Sequence, residues 1–153
     1  MMNVRILTLL LVMLPAQVRA DDILVITGHD TPFKNFSSKR VKNIFLRKTL
    51  LNEVGGSWIP LNLNADDPIR LAFSRTLFNL PPEALEPYWN EQYFQGIAPP
   101  YVVASEEAML RFVAGTRGAI GYILPCHLDE RVKVVFKITT KYDLKLYCNT
   151  GAY

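Results

Sequence analysis

Asp66, Asp67, Pro68 and Arg70 stand almost side by side in this 153-residue chain. Their types and spacing suit the handling of an anion. An aspartate followed by proline reads as the cap and first residue of a helix. The free N–H groups and positive dipole end of such a terminus attract negative charge. Here two carboxylates already occupy that position, and Pro68 removes one donor. The first reading is therefore a self-capped helix, with Asp66 or Asp67 as the cap. Arg70 either pairs with one of these carboxylates or reaches back toward a phosphate, a ligand arginine often holds.

Other polar candidates are scattered. Thr27, His29 and Thr31 follow an apolar run, Ile23–Ile26, which reads as a buried strand ending at Thr27-Gly28. Loops at strand ends are where α/β proteins bind ligands. Ser37 and Ser38 open a second helix followed at once by Lys39, Arg40 and Lys42. That basic run reads as a solvated face or as an aid to anion binding. His29-Asp30 and His127 are isolated in sequence, so no resident metal or other cofactor is expected. Tyr88, Trp89, Tyr93 and Phe94 lie at helix spacing and read as core rather than as a base-stacking platform. No nucleophile elbow, Walker loop or dinucleotide fingerprint occurs, and catalysis is not expected.

The N-terminus bears on compartment. Arg5 precedes an apolar run from Ile6 to Leu14, Pro15 breaks it, and Val18-Arg19-Ala20 ends it with residues suited to cleavage. Residues 1–20 thus read as a secretory leader cut after Ala20, too short in apolar length to span a bilayer. Residues 21–153 remain as one domain. Loss of Arg5 and Arg19 leaves acidic and basic side chains nearly balanced, which calls for neither nucleic acid nor an anionic membrane as partner. In an oxidising compartment Cys126 and Cys148 are expected to form a disulfide. Two free thiols, or a metal held by Cys126, His127 and Asp129, are the alternatives.

Helices and strands must position these groups. Val41, Ile44 and Phe45 form the apolar stripe of the helix opened by Ser37 or Ser38. Ile59, Leu61 and Leu63 alternate with Trp58, Pro60 and Asn62 as in a strand, and Pro60 places it at an edge or makes it start late. Ile69, Ala72, Phe73, Thr76 and Leu77 make one face of the Pro68 helix. A third helix from Glu83 to about Gln95 buries Leu85, Tyr88 and Trp89. Val102-Val103 is a short strand. Ser105 caps a fourth helix, with Glu106 and Glu107 in its first turn and Met109, Phe112 and Val113 inward. Gly115 ends that helix where a positive φ is wanted, and Gly118 and Gly121 mark close backbone approach. Strands follow at Ile120–Leu124 and Val132–Ile138, the second alternating Val132, Val134, Phe136 and Ile138 with Lys133, Val135 and Lys137. Leu144, Leu146 and Cys148 form a last short strand. The order implies a single three-layer α/β domain.

Several of these segments carry a resemblance. Val41-Lys42-Asn43-Ile44-Phe45-Leu46, Tyr88-Trp89 with Phe94-Gln95-Gly96 and Pro99-Pro100, and Phe112–Ile123 with its Gly-Ala-Ile-Gly-Tyr core stand in the order found in phosphate-type periplasmic binding proteins of ABC transporters. The stretch from Phe36 to Ile123 is similar to one lobe of that type 2 periplasmic binding protein fold. The resemblance implies a mixed, mostly parallel sheet flanked by helices. It also implies an oxyanion site at the helix opened by Asn64–Arg70, where the family carries a Ser-Gly-Thr-like turn. On it, Arg70, Ser38, Thr27, Ser37 and Asp67 are the candidate ligand-binding residues.

The family has two lobes with ligand between them, and this chain has room for one. The implied function is periplasmic capture of phosphate or a related oxyanion for an ABC permease. The alternative is a periplasmic interaction or scaffold protein that reuses the lobe without ligand, including a homodimer whose two lobes imitate one cage.

Overall fold

The computed structural model describes residues 21–149. The expected leader, residues 1–20 with its cleavage site after Ala20, lies outside the described residues. Among the described residues five strands, β1 (Asp21–Gly28), β2 (Ile59–Asn62), β3 (Tyr101–Val102), β4 (Ala119–Ile123) and β5 (Val132–Thr140), form one sheet in the order β3-β2-β4-β1-β5. β2 pairs parallel with β3 and β4, and β1 pairs antiparallel with β4 and β5. Only β1 runs against the rest, so the sheet is mixed and mostly parallel.

The helices are α1 (Ser38–Phe45), α2 (Pro68–Phe78), α3 (Glu86–Phe94) and α4 (Glu106–Gly115). Neighbouring residues of β4 show how they layer. Tyr122 points to one face, where its ring stacks on Phe73 of α2 with centroids 3.9 Å apart and lies near Phe45 of α1. Gly121 points to the other face, where a β-carbon would run into Met109 of α4. The sheet is therefore sandwiched between α1 and α2 on one side and α4 on the other. Both faces are covered, which is why the strands carry near-continuous apolar runs. Ile23, Val25, Ile26, Leu61, Ile120 and Ile123 are all buried.

Each N-cap follows from local chemistry. Ser37 accepts Arg40 N, Asp67 accepts Ile69 N and Arg70 N, and Ser105 accepts Ala108 N. Pro68 follows its cap at the first turn, where its missing N–H costs nothing.

Several expectations are corrected. The third helix begins at Glu86, after a separate 3₁₀ turn at Pro82–Leu85, because Pro87 suits a helix start and not a helix interior. Leu85 is buried, but Tyr88 and Trp89 are only partly so, and α3 itself has no fully buried residue. In α4, Leu110 faces inward and Phe112 is partly exposed, stacking on Tyr101. In α2, Thr76 is exposed and Arg70, Ser74 and Phe78 are buried. Gly115 stays helical, and Gly118 is the residue with positive φ, at +81°.

Strand details also differ. β2 is second from the edge and not at it. Ile59 N donates to Gly118 O beside β4, so the nitrogen of Pro60 faces the other way, where β3 reaches only Leu61 and Asn62. Proline there forfeits no ladder bond. In β5, Phe136 pairs with Val25 and Val134 with Ile26, leaving Val135 as the extra residue of a bulge. The bulge shifts the phase, so Val132, Val135 and Ile138 are buried and Val134 is exposed. Lys145–Cys148 forms a 3₁₀ turn instead of a strand, with Leu146 exposed. Cys126 and Cys148 are disulfide-bonded. The metal alternative fails accordingly, since Asp129 is engaged by Arg131 and His127 by Glu106. Among the described residues no helix is long and apolar enough to cross a membrane.

Candidate ligand site

β2 and β4 run parallel and end together, and the groups that follow them converge. Leu63, just past β2, donates its N–H to the Tyr122 hydroxyl at 3.1 Å. α2 then starts at Asp67-Pro68, one loop beyond β2. α4 starts at Glu106, just beyond β3, and its carboxylate returns to the end of β4. Leu124 N donates to Glu106 Oε1 at 2.5 Å, and His127 Nδ1 lies 2.7 Å from Glu106 Oε2. The N-termini of two helices thus meet at the carboxyl edge of the parallel strands, the place where such sheets bind ligands.

The electrostatics of this cluster are tight. Burial pushes the Glu106 carboxyl above the usual carboxylate range, against the pull of Leu124 N–H and His127. Burial likewise pushes the Tyr122 phenol well up, while Arg70 pulls it down and Asp67 and Glu106 push it further up. Arg70 is 7% exposed, and burial lowers its guanidinium below the ordinary arginine range. Its Nε and Nη1 are buried without a hydrogen-bond partner among the described residues. A buried guanidinium is expected to be paired, so these two donors are the distinctive feature of the site.

The sequence candidates separate into two groups. Arg70 and Asp67 belong to this cluster. Asp67 is spent on its own helix, its Oδ1 taking Ile69 N at 2.8 Å and Arg70 N at 3.4 Å. Thr27 lies opposite Ile120, at the start of β4 and so toward the other end of the sheet. It is buried, with Oγ1 unpartnered among the described residues. Ser37 and Ser38 also lie away from the cluster. Ser37 caps α1, and Arg40 one turn on sits over the rings of Phe33, Phe36 and Trp58, the last of these just before β2. Arg40 is further paired with Glu53, so its charge is already engaged there. His29 Nε2 lies 2.6 Å from Glu130 O. No three metal-binding side chains cluster among the described residues.

Sequence reasoning missed Tyr122, Glu106 and His127 as members of one cluster. Glu106 had a weak signal, an acid directly after a serine cap. Tyr122 had none, because an aromatic residue in an apolar strand reads as core.

No family model matches this sequence, and no curated protein matches it. Solved structures do match by fold. One is a Clostridium perfringens protein assigned as a phosphate ABC transporter substrate-binding protein, with bound phosphate: TM-score 0.63 at 20% identity, covering 77% of this chain and 45% of that one. Another is an ABC-type phosphate transport receptor from Vibrio cholerae, with TM-score 0.64, 13% identity, and 80% and 56% covered. A third is PstS from Borrelia burgdorferi, with TM-score 0.60, 16% identity, and 86% and 52% covered. This chain has the fold of one lobe of these substrate-binding proteins. It spans about half their length. At such identities the likeness extends to the fold and not to individual ligand contacts.

Proposed function

We propose that this protein is exported to the periplasm and binds phosphate or a related oxyanion through Arg70, serving ABC-type uptake. The observation that carries this reading is the buried Arg70 guanidinium, with two donors unpartnered at the N-terminal end of α2. Nε and Nη1 lie on different edges of the guanidinium, and an oxyanion on either edge would take one of them together with Nη2, the paired geometry arginine favours. Asp67 and Glu106 stand close by and repel a dianion, so the singly charged, protonated anion is the favoured form. The named functions of the structural neighbours, phosphate transport and substrate binding, point the same way. Ser38, Ser37 and Thr27 take no part in this version of the site. Binding without catalysis is part of the proposal, as is an ABC permease as partner.

Isothermal titration with phosphate and sulfate tests the reading, using wild type, Arg70→Ala, Arg70→Lys and Asp67→Ser. Binding that vanishes in Arg70→Ala, is partly kept in Arg70→Lys and strengthens in Asp67→Ser is the expected pattern. Heat-free titrations in all four folded proteins would sink it. Intact mass of protein from periplasmic extract tests export, with a mature chain beginning at Asp21 expected and retention of Met1–Ala20 counting against it.

A second reading is favoured by one contact. Asp67 already accepts the N–H groups of Ile69 and Arg70 that an anion would otherwise use. On that reading the lobe is a periplasmic scaffold without ligand, docked on a partner or on a second copy.

A further inference from the structure

At the other end of α2 lies a cleft of about 490 Å³, lined by Arg75, Thr76, Asn79, Pro81, Thr139, Lys141 and Tyr142. None of these is a carboxylate. Arg75 and Lys141 are both exposed and make no ion pair among the described residues. Asp22, the acid at the adjoining end of β1, is occupied: Thr139 Oγ1 donates to it at 2.8 Å, and Lys137 Nζ lies 3.3 Å away. Unneutralised cations converging on one concavity are a sign of an anionic ligand.

We infer that this cleft is a binding site for a small organic phosphate, separate from Arg70. The lining matches the parts of such a molecule. Arg75 offers a planar fork and Lys141 a point charge for the phosphoryl group. Thr76 and Asn79 add a hydroxyl and an amide beside Arg75. Pro81 and the Tyr142 ring give an apolar wall for the organic portion, and Lys141 Nζ sits 5.7 Å from that ring's centre. The volume falls within the range of small-molecule sites and exceeds the needs of a bare oxyanion. Asn79 holds the left-handed backbone conformation, φ +60°, that ends α2. The carbonyls of the last helical turn oppose an anion, and it is Arg75, standing in that turn, that offsets them.

The inference does not depend on the Arg70 reading, and the experiment keeps the two apart. Glycerol 3-phosphate, inorganic phosphate and glycerol are titrated into ¹⁵N-labelled wild type, Arg75→Gln, Lys141→Gln and Arg70→Ala. Because Arg75 and Lys141 are exposed, their variants keep the fold. The expected result is amide shifts at Thr76, Asn79 and Tyr142 with glycerol 3-phosphate and none with glycerol. Affinity should fall about tenfold in each of Arg75→Gln and Lys141→Gln, the scale of one lost charged hydrogen bond. It should be unchanged in Arg70→Ala. Inorganic phosphate should bind this cleft more weakly than the ester. Absence of shifts there at millimolar ester would overturn the inference. So would shifts insensitive to both substitutions, or lost in Arg70→Ala instead.

Discussion

Glu106 Oε2 lies 2.7 Å from Nδ1 of His127, and this contact fastens the start of α4 to the turn that follows β4. The other oxygen, Oε1, holds Leu124 N. One carboxylate therefore closes the corner at which the candidate anion site is built.

Glu106→Ala should destabilise the protein by about 2–3 kcal/mol, since it strands a buried N–H and the His127 ring. Glu106→Gln should cost less and change the pH profile. Burial raises the Glu106 carboxyl in the folded state above its ordinary value of 4.5. Its contribution to stability is fully present below that ordinary value and is lost as pH rises through the folded value. Urea denaturation across that range should show wild type losing stability, relative to Glu106→Gln, as pH rises.

The neighbouring acid has the opposite sign. Hydrogen bonds from Arg131, then from Arg111, hold the Glu107 carboxyl down to about 2. A depressed carboxylate stabilises the fold above its unfolded value and loses that contribution as pH falls through the folded value. Between pH 4.5 and about 2, wild type should lose this increment and Glu107→Gln should not. Acid titration of the far-ultraviolet circular dichroism of both proteins measures the difference. Equal acid midpoints would remove Glu107 from the account.

The Cys126–Cys148 bond closes a loop with a sequence separation of 22. Loop closure of that length stabilises by about 3 kcal/mol, so Cys126→Ser should lower Tm by about 10 °C. Calorimetry with and without reductant checks it. Two thiols that alkylate freely in the unreduced folded protein would contradict the bond.

Gly118 has φ +81°, and a β-carbon there would collide with the carbonyl of Ser57. Gly118→Ala should therefore cost about 2 kcal/mol or more, strain and backbone displacement together. Gly115→Ala, at a position with helical backbone and open space, should be neutral or slightly stabilising. Reversal of this order in thermal melts would refute the assignment of the turn.

Local chemistry in the sequence decided much of this protein. Short-range hydrogen bonds select Ser37, Asp67 and Ser105 as caps, Pro68 starts α2, and the stripe of Val41, Ile44 and Phe45 fixes the inward face of α1. Each depends on residues within one or two turns, so the helix starts are legible without the fold, although the choice of Ser37 over Ser38 and of Asp67 over Asp66 came from the structure. Alternation failed where the fold intervened. Val135 is buried by a bulge that exists only because β5 is paired with β1, and no period within β5 encodes it.

The site divides in the same way. Asp67 and Arg70 share one helical turn and announced themselves together. Glu106, Tyr122 and His127 are distant in sequence and meet only because β2 and β4 run parallel and end at one level, bringing the helix starts beyond β2 and β3 to the same edge. The same pairing carries Thr27 toward the opposite end, because β1 alone runs the other way. A residue's type and neighbours say what chemistry it can offer. Strand direction and register are set by long-range pairing, and they decide which of those residues share a site.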